Sequence, residues 1–150
     1  RPKFIEELRK CLGTEGNIVV YNQSFEQGVL KNLGDLFPNH KAWIALIIKV
    51  MVDLLAPFRN FAYYHPKQSG SASLKHVLPA LTGVTYEDFE IANGSEASLS
   101  YLSITHGSYD GIKVSLREIA KVRADLEKYC KLDTEGMVLI LDKLNQLAQE

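Results

Sequence analysis

Two acidic residues occupy positions where a helical repeat calls for apolar ones. Ile119, Val122, Leu126, Tyr129, Asp133, Met137, Ile140, Leu144 and Leu147 recur at intervals of three and four. That spacing is one continuous helical stripe that faces an interior. A carboxylate there is costly unless a metal ion or a cation meets it. Tyr129 stands four residues before Asp133, so on a helix its hydroxyl reaches the same place. The alternative is that Asp133 caps a new helix after a break near Leu132, with Glu135 in its first turn. Glu26 repeats the motif in the stripe Glu26, Leu30, Leu33, Phe37. It follows the apolar run Asn17 to Tyr21, and the carboxyl end of a strand is where α/β folds place ligands. Asn22 stands at the same strand end, with an amide that both donates and accepts. The alternative for Glu26 is a charge that merely complements the helix dipole.

Cationic candidates cluster between His65-Pro66-Lys67 and Lys75-His76, around Gly and Ser. Ser73 can open a helix whose amide end would face an anion. Lys67, Ser73 and Lys75 would then contact a phosphate backbone; the alternative is a mobile polar loop. His40 and His106 show no ligand spacing. Tyr63, Tyr64, Tyr86 and Tyr101 read as core or edge packing. Cys11 and Cys130 are too few for a disulfide framework and have no histidine at ligand spacing. They suggest free thiols in a reducing, cytoplasmic compartment, with Cys130 a small buried residue.

The elements that must position these residues are mostly helices. Pro2 to Leu12 reads as a helix with Phe4, Ile5, Leu8 and Leu12 on one face, ended by Gly13 and Gly16. Residues 17–21 (NIVVY) are β-branched and continuous, a buried strand. Ser24 and Gln27 form a capping-box pattern for the next helix. A second apolar helix runs from about Asn39 towards Leu55, although Val50 to Asp53 could instead be a short strand. Ser73 to Leu81 is helical, kinked or ended by Pro79. Residues 85–90 and 95–105 read as short helices around Asn93-Gly94, and Val114 to Gln149 as a long one. A lone strand leaves its backbone groups unpaired, so its neighbours are either missed or outside the chain.

Length and composition frame this as a single domain, residues 1–150. Hydrophobic residues make up 46% and charged residues 23%, which excludes a disordered or low-complexity chain. No stretch approaches the roughly 18 uninterrupted apolar residues of a membrane span. The net charge is −1, so bulk charge announces no nucleic-acid partner. Residues 1–80 hold ten Lys/Arg against six Asp/Glu, and residues 81–150 hold seven against twelve. The start at Arg1 suggests a chain processed or cut from a longer protein.

Taken in order, the motifs resemble those of DEDD-type 3′–5′ exonucleases. Val19-Val20-Tyr21-Asn22-Gln23-Ser24-Phe25-Glu26 is similar to their second motif, where a strand ends in Asn and a Phe-acid pair opens a helix. Tyr129-Cys130-Lys131-Leu132-Asp133 is similar to the tyrosine form of the third, Tyr-x-x-x-Asp, with Lys128 where the histidine form carries His. Val52-Asp53-Leu54 resembles the Asp-containing segment after the second motif, and Ser73-Leu74-Lys75 a helix start of such domains. More closely, the chain resembles the C-terminal part of an uncharacterised bacterial domain of unknown function in the ribonuclease-H-like superfamily.

The resemblance implies a fragment that is mainly α, the remnant of an α/β ribonuclease-H-like fold with one strand at 17–21. Its chemistry would be two-metal phosphodiester hydrolysis with Mg²⁺ or Mn²⁺, held by clustered oxygen ligands. Asp133 would bind metal directly, Glu26 directly or through water, and Tyr129 would orient the attacking water. Asn22, Phe25, Lys67, Ser73 and Lys75 would contact a single-stranded nucleic-acid end. Two departures stand out. The first motif, Asp-x-Glu, is absent, and Glu26 replaces the usual Asp. The expectation is therefore a nuclease when complete, inactive as this chain alone, awaiting the missing N-terminal strands of its own domain. The rival is a non-catalytic nucleic-acid-binding or scaffold module with Asp133 as a cap and Tyr129 as core.

Overall fold

A computed structural model describes residues 2–13, 15–106 and 114–149. The chain is mainly helical and divides into two compact units, Arg1–His65 and Pro66–Glu150.

The first unit runs α1 (Pro2–Leu12), β1 (Ile18–Val20), α2 (Gln23–Leu36), a 3-10 turn (Pro38–His40), α3 (Lys41–Lys49), β2 (Met51–Asp53) and α4 (Ala56–Arg59). The strand expected at 17–21 is present, and its partner lies within the chain. β1 and β2 pair in parallel, with Ile18 opposite Met51, Val19 opposite Val52 and Val20 opposite Asp53. The helix read as reaching towards Leu55 therefore stops at Lys49, and the strand alternative for Val50 to Asp53 is the one realised. Ile18 N–H donates to Val50 O at 2.9 Å and Leu54 N–H donates to Val20 O at 2.8 Å. These bonds lie across strands, where β-branched Val50 and Val52 fit better than in a helix. Parallel pairing needs a crossover, which α2 and α3 supply. Ile5, Leu30, Leu33, Trp43, Ile44 and Ile47 form the core, with Leu8, Leu12, Ile18 and Met51 packed against it. Phe4 was expected on the inner face of α1 but is 55% exposed. The face is set by Ile5, Leu8 and Leu12 at i, i+3 and i+7, and Phe4 flanks it.

The second unit contains a 3-10 turn (Pro66–Gln68), α5 (Leu74–Thr82), α6 (Gly94–His106) and α7 (Leu116–Leu147). α7 is one helix of 32 residues without a break at Leu132. Ser115 caps it, its Oγ accepting the Glu118 N–H at 3.2 Å. Every position of the nine-residue stripe is buried or half-buried, so the periodicity reports a real inward face. Pro79 lies inside α5, which continues to Thr82 and closes on Gly83 in the left-handed conformation. Residues 85–90, expected as a helix, form turns instead. Tyr86 within them is buried individually. α6 begins with reciprocal capping: Asn93 Oδ1 accepts the Glu96 N–H at 2.9 Å, and Glu96 Oε2 accepts the Ala92 N–H at 3.0 Å. Among the described residues no helix is long and apolar enough to cross a membrane.

Two helical glycines have opposite surroundings. A Cβ on Gly28 of α2 would meet nothing within 4 Å, whereas one on Gly136 of α7 would lie 2.9 Å from Cδ2 of the fully buried Leu78. Gly28→Ala gains helix propensity and should stabilise by up to about 1 kcal/mol. At Gly136 the same gain is outweighed by overpacking of about 1–3 kcal/mol. Urea denaturation followed by circular dichroism should show shifts of opposite sign for the two substitutions.

Candidate functional site

In the first unit the chemistry gathers where β1 turns into α2. Only Tyr21 and Asn22 separate the strand from the helix, so the backbone turns sharply. Asn22 takes the left-handed conformation, φ 73° and ψ 66°, which Asn tolerates better than most side chains. The Ser24–Gln27 capping box does not form, because Asn22 is the cap position and Ser24 already lies in the helix. The Ser24 hydroxyl instead donates to Asn22 Oδ1 at 2.9 Å. Asp53, at the end of β2, completes the elbow. Its Oδ1 accepts the N–H of Asn22 and the N–H of Leu55, both at 3.0 Å. One carboxylate oxygen thus ties together the carboxyl ends of both parallel strands.

Glu26 stands in the first turn of α2 and is half-buried. Burial pushes its carboxyl above the usual range. Its place in the first turn also suits the helix dipole. Burial, followed by the nearby charge of Asp53, also pushes the Tyr21 phenol up. Phe25 is 65% exposed. Asp53 belonged to a recognised motif but had no assigned role. Its signal was an Asp closing a β-branched run just before a turn, the position where its side chain can bond backbone N–H groups.

In the second unit Asp133 lies in the middle of α7, so the helix-cap alternative fails. Its carboxylate is met by a phenol: the Tyr86 hydroxyl donates to Asp133 Oδ1 at 2.6 Å, and the Tyr129 ring packs beside it. The two tyrosine rings lie 6.0 Å apart, tilted by 49°. Lys75 Nζ sits 5.6 Å from the Tyr86 ring centroid and 5.7 Å from that of Tyr129. Both phenols are pushed far up, first by burial and then by the neighbouring Asp133 carboxylate; both are neutral at any ordinary pH. Tyr86, read from sequence as packing, is therefore a polar partner as well. Its 47-residue separation from Asp133 left no local signal.

The remaining candidates are more dispersed. Ser73 caps α5 through its backbone, and its Oγ hydrogen-bonds His76 Nδ1 at 2.8 Å. Lys67 is exposed in the 3-10 turn. Gln68 is 1% exposed, and its amide donates to Ser71 O at 3.2 Å, anchoring that loop. Lys128 lies 4.1 Å over the Phe89 ring. Cys11 and Cys130 are free, and both are exposed; the buried place expected for Cys130 is corrected by its position on the outer face of α7. Among the described residues neither unit groups three His, Cys, Asp or Glu side chains as a metal set.

Residues 1–73 match the family described as a domain of unknown function (DUF2779). The first half of the chain is thus similar to a family without an assigned activity. The match includes Asn22, Phe25, Glu26 and Asp53 and ends before Lys75, Tyr86, Tyr129 and Asp133. No curated protein and no solved structure matches the chain.

Two consequences can be measured in the first unit. Asp53→Ala strips the acceptor from two backbone N–H groups and should cost about 2–3 kcal/mol in denaturation. For Glu26 the folded carboxyl binds its proton more tightly than the unfolded one, so stability falls as pH rises through that raised value. Glu26→Gln removes this slope. It should be more stable than the parent at pH 7, with the advantage vanishing below about pH 4.

Proposed function

We propose that this chain is a nuclease-like domain of ribonuclease-H-like descent that serves phosphodiester hydrolysis on single-stranded nucleic acid, with 3′–5′ exonuclease action as its form. The observation that carries this reading is the position of Asp133. An unbroken helix holds a carboxylate on its buried stripe, with a tyrosine one turn before it and a lysine ammonium over the tyrosine rings. Packing alone would be served by an apolar residue there.

Each group has a chemical task in such a reaction. Lys75 offers a cation to a phosphate oxygen. The Tyr129 hydroxyl, neutral and buried, can hold a water molecule in line with a phosphorus atom. Asp133 supplies a hard oxygen donor. The expected ion is Mg²⁺ or Mn²⁺, and Mg²⁺ is commonly held through one or two carboxylates together with substrate phosphates. An Asp133 carboxylate without a grouped set of three ligands around it among the described residues therefore fits an ion that arrives with the nucleic acid. When bound, the ion would stabilise charge on the attacking and leaving oxygens. Glu26, with Asn22 beside it at the elbow, is a second acidic candidate, and its raised carboxyl favours a cation or a shared proton as partner.

A second reading is a non-catalytic nucleic-acid-binding or scaffold module. The 2.6 Å bond from Tyr86 favours it, because that bond satisfies an Asp133 oxygen without any ligand.

The discriminating assay uses 5′-labelled single-stranded DNA and RNA with Mn²⁺ and the full-length protein, because this chain lacks the Asp-x-Glu motif and is expected to cleave neither alone. The full-length protein should shorten at least one of them, and Asp133→Asn in it should slow the reaction by about a hundredfold. Degradation of neither substrate, or full activity of Asp133→Asn, leaves the scaffold reading.

A further inference from the structure

Tyr86 sits in the connection between α5 and α6, far in sequence from the motif that contains Asp133. Only 7% of it is exposed. Its ring is fixed by aromatic neighbours, Tyr129 at 6.0 Å and Phe89 at 5.8 Å in an edge-on arrangement, and is covered by the Lys75 ammonium at 5.6 Å. With the ring held by three elements, the direction of the hydroxyl is set. It points at Asp133 Oδ1 with the short 2.6 Å separation of a charge-assisted bond. A purely packing role would not need the oxygen, since Phe would fill the same volume.

We propose that Tyr86 is a positioning residue for Asp133: its hydroxyl locks one carboxylate oxygen and so fixes the plane in which the other can act. The inference rests on the nuclease reading and deepens it. Groups that orient a working carboxylate are typically worth a factor of 10 to 100 in activity. Tyr129, one turn before Asp133 on α7, packs its ring against that of Tyr86, so the bond to Asp133 comes from a segment separate from its own helix.

The test compares the full-length parent protein with its Tyr86→Phe, Asp133→Asn and Tyr101→Phe variants, the last a control at a tyrosine 54% exposed on α6. In the Mn²⁺ assay Tyr86→Phe should lower kcat by about tenfold while KM stays within about threefold. Tyr101→Phe should match the parent. In metal-free protein the ¹³C resonance of the Asp133 carboxyl should move in Tyr86→Phe and stay in place in Tyr101→Phe. If Asp133→Asn is inactive while Tyr86→Phe keeps the parent kcat, the positioning role is overturned and the nuclease reading stands. If Tyr86→Phe lowers only the melting temperature, with kcat per folded molecule unchanged, the bond is structural and the proposal fails. If Asp133→Asn is fully active, the nuclease reading falls and this role falls with it.

Discussion

An ionised carboxylate on the inward stripe of a long helix costs several kcal/mol unless its oxygens are met. The second unit is arranged around that constraint. The Tyr86 hydroxyl donates to Asp133, and the Lys75 ammonium rests on the faces of the Tyr86 and Tyr129 rings.

The first unit solves a separate problem. A two-stranded parallel sheet of three-residue strands has few ladder bonds of its own. Asp53 compensates at the carboxyl ends by binding the backbone of the elbow after β1 and of the turn after β2. The left-handed Asn22 and the first turn of α2 follow from that junction, and with them the half-buried place of Glu26. Burial raises the Glu26 carboxyl, so the position is held against the preference of an acid for water. Acids kept in such places are functional candidates on physical grounds.

What the sequence made legible was periodic or local. The α7 stripe, the β-branched run at 17–21 and the Ser73 helix start each depend on residues within a turn or a strand of one another, and each is present. The helix from Asn39 was read too far, because Val50 and Val52 fit either pattern until their ladder partners are known. Asp133 was ambiguous between cap and stripe for a similar reason: a short-range cap signal, Asp133 followed by Glu135, competed with a longer-range periodicity, and the periodicity won. Tyr86 and Asp53 act through contacts to residues 47 and 31 positions away. No spacing rule reaches that far, so these long-range bonds emerge only from the fold, although the bond of Asp53 to Leu55 is local.

The most direct measurement is where a divalent ion goes when nucleic acid is present. Mn²⁺ added with a hydrolysis-resistant phosphorothioate single strand should broaden the ¹³C carboxyl resonance of Asp133 at concentrations that leave the exposed Glu127 of the same helix sharp. Equal broadening of the two, or none at Asp133, would contradict a working carboxylate there and leave it as a structural acceptor for Tyr86.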